Sequence, residues 1–179
     1  MENKGFIRKP KSLPKYITQE EVIYILDKAK KDRYRNYILL LVLSRTGMRV
    51  SEIVSVQKRD LINNTIIVRD AKGRKDRVIP LERELDNILG LYTDRMNPKE
   101  RLFPISDRQV RNIVYKYAPD GLDVHPHTLR HSFAVHCLKS GMNLRSLQKI
   151  LGHSNLNTTQ VYLDVVGDDI KDDFKKVEW

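Results

Sequence analysis

Residues 34–47, YRNYILLLVLSRTG, are apolar almost all round, so a helix over them has no face to offer water. Such a helix is buried, and Gly47 supplies the stop signal at its end. The other helical signals are amphipathic. Thr18 and Glu21 form a capping box ahead of a helix whose Val22, Ile25, Leu26 and Ala29 share one face. A short helix, VSEIVSV, follows Gly47. The period then changes: TIIVRD and RVIPL are β-branched runs joined by AKGRKD, which reads as a hairpin with a charged, glycine-containing tip. From Glu82 the pattern is helical again, through ERELDNILGLY, SDRQVRNIVYKY with Ser106 and Gln109 as a second capping box, HTLRHSFAVHCLKSG, LRSLQKILG and TTQVYLDV. The expected fold is mixed α+β, predominantly α-helical with one small antiparallel β-sheet. Residues 1–15 read as a basic arm, 16–166 as the domain, and 167–179 as a C-terminal tail that is acidic, then basic.

At 179 residues the chain can bury a real core in one domain. With 33 Lys+Arg against 23 Asp+Glu the formal charge is +10, which points to a polyanionic partner, most often nucleic acid. Cys137 is the only cysteine, so there is no disulfide framework and no CxxC metal knuckle, and it reads as a buried small hydrophobe. No apolar run approaches the roughly 18 to 20 residues that span a bilayer, and MENKGFIRKPK lacks a signal-peptide core. The expectation is a cytoplasmic, nucleoid-associated protein with no membrane partner.

Four of the five histidines fall in HPHTLRHSFAVH, His125 to His136, and the fifth, His153, is in LGHSN. On a helix starting near His127, the residues His127, Arg130 and His131 lie on one side and His136 roughly opposite. Four ligands therefore do not converge. The stretch holds no Asp or Glu, and Arg130 would repel a cation, so neither a metal nor another cofactor is expected. His131 and His136 read as ordinary helix residues, one of them hydrogen-bonded in the core. His127 beside Arg130 near a helix N-terminus is different, because an imidazole and a guanidinium there can hold a phosphate.

Four stretches in order, TGMRVSEI, AKGRKDRVIPL, HTLRHSFAVH and LGHSNLNTTQVY, resemble the signature of the tyrosine recombinases, the group that includes phage integrases and Xer-type recombinases. The resemblance runs from about LPKYITQEEV to Val165. It implies that Arg49 is the first catalytic arginine, Lys72 the hairpin lysine, His127 and Arg130 the HxxR pair, His153 the second histidine and Tyr162 the nucleophile. Glu52 matches a supporting acidic position, and Lys75 competes with Lys72 on the same hairpin. The implied protein is the catalytic domain of a site-specific DNA recombinase. It would cleave and rejoin strands through a 3′-phosphotyrosyl link, without metal or ATP.

The residue types suit that chemistry. Breaking a phosphodiester without metal needs a nucleophile, stabilisation of charge on the non-bridging oxygens, and a proton for the departing 5′ oxygen. Planar arginine forks serve the second need better than lysine does. The implied partners are double-stranded DNA and further copies of the chain, as a tetramer on synapsed DNA, held together through the C-terminal tail. By the same resemblance, the stretch before the domain would correspond to the trailing linker of the family's N-terminal core-binding domain. Two other readings use the same residues: a type IB topoisomerase-like relaxation of DNA, and a non-catalytic DNA-binding module that keeps the phosphate clamp.

Overall fold

The computed structural model describes residues 14–69, 76–153 and 157–163. The apolar stretch 34–47 forms helix α2 (Tyr34–Thr46), in which Ile38, Leu39, Leu40 and Val42 are wholly buried. Burial on every side requires neighbours on every side: α1 (Gln19–Asp32), α4 (Arg83–Thr93) and α6 (Pro126–Lys139) all pack against it. Of the buried polar residues of α2, Ser44 and Thr46 bond carbonyls of their own helix and Asn36 reaches another element. Asn36 donates to Tyr117 Oη at 2.9 Å, and that phenol donates to Asp32, which ties α1 and α2 to α5 (Asp107–Tyr117). Both capping boxes are present, with Thr18 Oγ1 accepting from Glu21 N at 3.2 Å and Ser106 Oγ from Gln109 N at 3.3 Å.

The expected hairpin pairs β2 (Thr65–Val68) with β3 (Arg77–Pro80), antiparallel, in the register Thr65 to Pro80 and Val68 to Arg77. A short β1 (Leu61–Ile62) adds a third strand on the other side of β2. Asn63 and Asn64 connect them with φ of 47° and 58°, the paired positive angles that a tight two-residue turn requires and that asparagine tolerates. Ile66 and Ile79 face the core from paired positions. Lys72 and Lys75 lie outside the described residues, as do most of the N-terminal arm and the whole tail.

The remaining elements are α3 (Val50–Ile53), α7 (Leu144–Leu151) and α8 (Asn157–Gln160). After α8 the Tyr162 N–H bonds the Thr159 carbonyl at 3.1 Å and tightens the chain there. Apart from the main core, Ala134 and Val135 of α6, Leu147 and Leu151 of α7, and Tyr162 form a second apolar cluster. No described helix is long and apolar enough to cross a membrane.

Candidate active site

Three consecutive carbonyls at the end of α7 each face a different arginine. Ile150 O accepts from Arg77 Nε at 2.7 Å, Leu151 O from Arg130 Nη2 at 2.7 Å, and Gly152 O from Arg49 Nη2 at 3.5 Å. The last carbonyls of a helix have no partner within it and carry the negative end of its dipole, so they attract cations. Gly152 makes the approach possible. It ends α7 at φ +65°, and a Cβ there would lie 2.9 Å from Arg77 Cδ.

Arg130 reaches this point from α6 and is only 4% exposed. Its Nη1 donates to Gly47 O at 2.6 Å. Gly47 has φ +60°, and a Cβ there would lie 2.5 Å from Phe133 Cδ1, so only glycine lets the end of α2 lie so close to α6. The same glycine starts the turn that delivers Arg49. Burial, then repulsion from Arg49, pushes the Arg130 pKa down to about 10, which leaves it charged at neutral pH.

Arg49 caps α3, and Glu52 accepts from its backbone N at 2.6 Å and from its Nη1 at 2.9 Å. Arg77 grips the same carboxylate with both prongs. Burial alone would raise the Glu52 pKa, but hydrogen bonding and charge from Arg77, then from Arg49, outweigh it and hold the pKa at about 2. Glu52 is therefore an ionised hinge between two arginines. Sequence reasoning passed over Arg77. Its signal was period-two alternation in RVIP, which puts a charge on the same inward face as Ile79.

His153 Nε2 lies 2.9 Å from Arg130 Nη2, and its Nδ1 lies 2.9 Å from Thr159 Oγ1. Arginine can only donate, so Nε2 is the acceptor and Nδ1 carries the hydrogen that Thr159 receives. Burial first, then the charges of Arg130, Arg49 and Arg77, pushes the His153 pKa down to about 4, so the ring is neutral at pH 7. His127, exposed in the first turn of α6, shares a cleft of about 380 Å³ with Arg49, Arg111, Tyr115 and His125. Burial and then Arg130 and Arg49 lower its pKa. Arg111 adds a cation to the cleft that the sequence did not suggest.

Tyr162 is 2% exposed, and its hydroxyl lies 2.8 Å from His131 Nδ1. Of the two histidines read as ordinary helix residues, His131 has as its partner the tyrosine singled out by resemblance, and His136 meets the backbone of Ile17. Burial raises the Tyr162 pKa, while Arg130 and Arg49 pull against that rise. His136 lines a separate groove with Ile23, Cys137 and Met142. Burial pushes the half-buried Cys137 thiol up to about 11, which keeps it unreactive at neutral pH. Arg49, Glu52, Arg130 and His153 thus share one network around the end of α7, Tyr162 adjoins it through Thr159, which meets both His153 Nδ1 and the Tyr162 N–H, and His127 flanks it beside Arg49. Lys72 is outside the described residues.

Relatives and solved structures show the family and the fold. The tyrosine recombinase XerA of Thermococcus kodakarensis is 39% identical over 169 residues, a match covering 87% of this chain and 60% of that protein. A crystal structure of XerA recombinase superposes with a TM-score of 0.78 at 29% identity, over 95% of this chain and 68% of the other. XerH site-specific recombinase, captured on a palindromic difH substrate after cleavage, gives a TM-score of 0.68 at 25% identity, over 92% of this chain and 54% of that one. The profile described as the phage integrase family matches residues 15–167, nearly the whole described structure, and the chain belongs to that family as a tyrosine recombinase catalytic domain.

Proposed function

We propose that the chain cleaves and rejoins DNA strands at specific sites, with Tyr162 as nucleophile and no metal or ATP. The observation that carries this reading is the pair of guanidinium groups, Arg49 and Arg130, fixed at the end of α7 with a buried tyrosine within reach of both their charges. A scissile phosphate bound there would meet Arg49, Arg130 and His127 on its non-bridging oxygens, where charge develops in the transition state. The Tyr162 oxygen attacks phosphorus, the bond to the 5′ oxygen breaks, and the 3′ end remains on the tyrosine as a phosphodiester. Attack by a 5′ hydroxyl reverses the step, so the bond energy is conserved. Glu52 keeps Arg49 aimed, and Lys72, which lies between β2 and β3 in the sequence, is the proposed donor of the proton to the departing 5′ oxygen.

The partner is double-stranded DNA, consistent with a charge of +10. XerH, of the same fold, is seen with a DNA substrate. We assign catalysis to residues 16–166 and phosphate contacts outside the site to the arm 1–15. Assembly into a tetramer on synapsed DNA through residues 167–179 belongs to the same proposal. The test is covalent trapping on nicked duplexes drawn from a randomised pool, followed by mapping of the modified residue. The expected adduct is on Tyr162, and Tyr162→Phe should bind DNA normally and form none. A phosphotyrosine mapped to Tyr115, Tyr117 or another tyrosine would overturn the assignment.

A further inference from the structure

We propose that His131 is the group that takes the proton from Tyr162 as its oxygen attacks phosphorus, an assignment that rests on the reading of Tyr162 as nucleophile. Among the described residues His131 is the one side chain hydrogen-bonded to the tyrosine oxygen, with Nδ1 at 2.8 Å. That distance suits direct proton transfer. The other histidines of the site are committed elsewhere. His153 offers its Nε2 lone pair to Arg130 and its Nδ1 hydrogen to Thr159, so it can accept a proton only by giving up Arg130. His127 lies in the cleft beside Arg49 and Arg111 and makes no hydrogen bond to Tyr162.

The step balances simply. The phenol hydrogen passes to His131 Nδ1 while the oxygen bonds to phosphorus, and the bond to the 5′ oxygen breaks, that oxygen taking its proton from a separate acid. On rejoining, the phenolate is expelled and His131 returns the proton. Among the described residues, the titratable and charged groups facing His131 are Tyr162 beyond α8, His153 beyond α7, and His127 and Arg130 on its own helix. Burial, then His127 and Arg130, lowers the His131 pKa and so weakens its basicity, and with the ring hydrogen on Nε2 the Nδ1 lone pair faces the phenol. Burial likewise keeps the Tyr162 phenol protonated. A bound phosphate brings negative charge among Arg49, Arg130 and His127 and offsets their repulsion of an imidazolium. The base therefore strengthens only when the bond to be cut is in place.

The experiment compares His131→Asn and His131→Ala with the unaltered full chain in single-turnover cleavage, on a nicked duplex selected for adduct formation. Each protein carries either tyrosine or a fluorinated tyrosine, which is more acidic, at position 162. Asparagine offers an acceptor oxygen near the position of Nδ1 and a similar volume, but cannot carry the proton. If His131 is the base, both variants should lose on the order of 10² or more in rate with DNA affinity unchanged. The fluorinated nucleophile should return much of that loss, because it needs less help to ionise. Normal cleavage by His131→Asn would overturn the proposal in favour of a hydrogen bond that only orients the ring. So would a loss that fluorination does not repair. Both results presuppose an adduct on Tyr162 in the unaltered chain; an adduct on another tyrosine, or none from the pool, would instead overturn the nucleophile reading and His131 with it.

Discussion

Arg77 and Glu52 meet as a two-pronged ion pair, Nη1 to Oε1 and Nη2 to Oε2 at 2.7 Å each, with side chains only 15% and 13% exposed. Because Glu52 also holds the backbone and side chain of Arg49, the pair anchors an arginine it does not itself contain. Removing one partner strands the other with little water to replace it. Arg77→Met should destabilise the fold by about 3 kcal/mol. It should also slow cleavage at substrate saturation, because Arg49 loses its fixed direction. Urea denaturation and single-turnover kinetics measure the two effects; a variant with unaltered stability would contradict the role given to the pair.

Acid should dissolve the same pair. The Glu52 pKa lies near 2 in the folded protein against an ordinary 4.5. A folded pKa below the unfolded one contributes its stability above the unfolded value and loses it as pH falls through the folded value, here roughly 3 kcal/mol in all. The stability difference between the unaltered chain and Glu52→Gln should stay flat from pH 7 to 5 and shrink between about 4.5 and 2. A difference that is undiminished at pH 2.5 would show that the carboxylate is not the source.

The hairpin tip can be tested by changing the leaving group. If Lys72 protonates the 5′ oxygen, Lys72→Ala should slow cleavage by roughly 10² to 10⁴. Sulfur in place of that oxygen needs little protonation and should restore much of the rate. Arg49→Ala and Arg130→Ala should not recover comparably, since the non-bridging oxygens they face are unchanged. Rescue of Lys75→Ala, with normal cleavage by Lys72→Ala, would move the acid three residues along the hairpin.

Gly47 and Gly90 make a matched pair. An alanine at 47 must hold φ +60° and place its Cβ 2.5 Å from Phe133 Cδ1, whereas a Cβ at 90, inside α4, meets nothing within 4 Å. Gly47→Ala should destabilise by about 2 kcal/mol and shift the carbonyl that Arg130 holds. Gly90→Ala should stabilise by about 0.5–1 kcal/mol and leave cleavage alone. Thermal melting decides both, and equal effects at the two positions would discard the close-approach argument.

The parts that were legible in the sequence are those set by neighbouring residues. The two capping boxes close over three residues, the stop at Gly47 is a single backbone choice, and the hairpin follows from alternation. The strand β1 escaped because two residues, Leu61 and Ile62, cannot display a period. Other parts depend on distant partners. Arg77 acquires its meaning from Glu52, 25 positions away, and His131 from Tyr162, 31 positions away. Helical spacing set His131 on the side of His127 and Arg130 but cannot show what lies opposite. The carbonyls of Ile150, Leu151 and Gly152 were illegible in principle, since every residue carries one and only the fold decides which are left over.

Those leftover carbonyls make the length of α7 a thermodynamic variable of the site. Asn143, at the other end of the helix, accepts from Arg145 N at 2.8 Å and holds the first turn wound. Fraying from either end scatters the acceptors that align Arg77, Arg130 and Arg49. By reciprocity, an anion that fixes those guanidinium groups must in turn suppress fraying, so amide hydrogens of α7 exchange more slowly when phosphate is bound although no phosphate touches them.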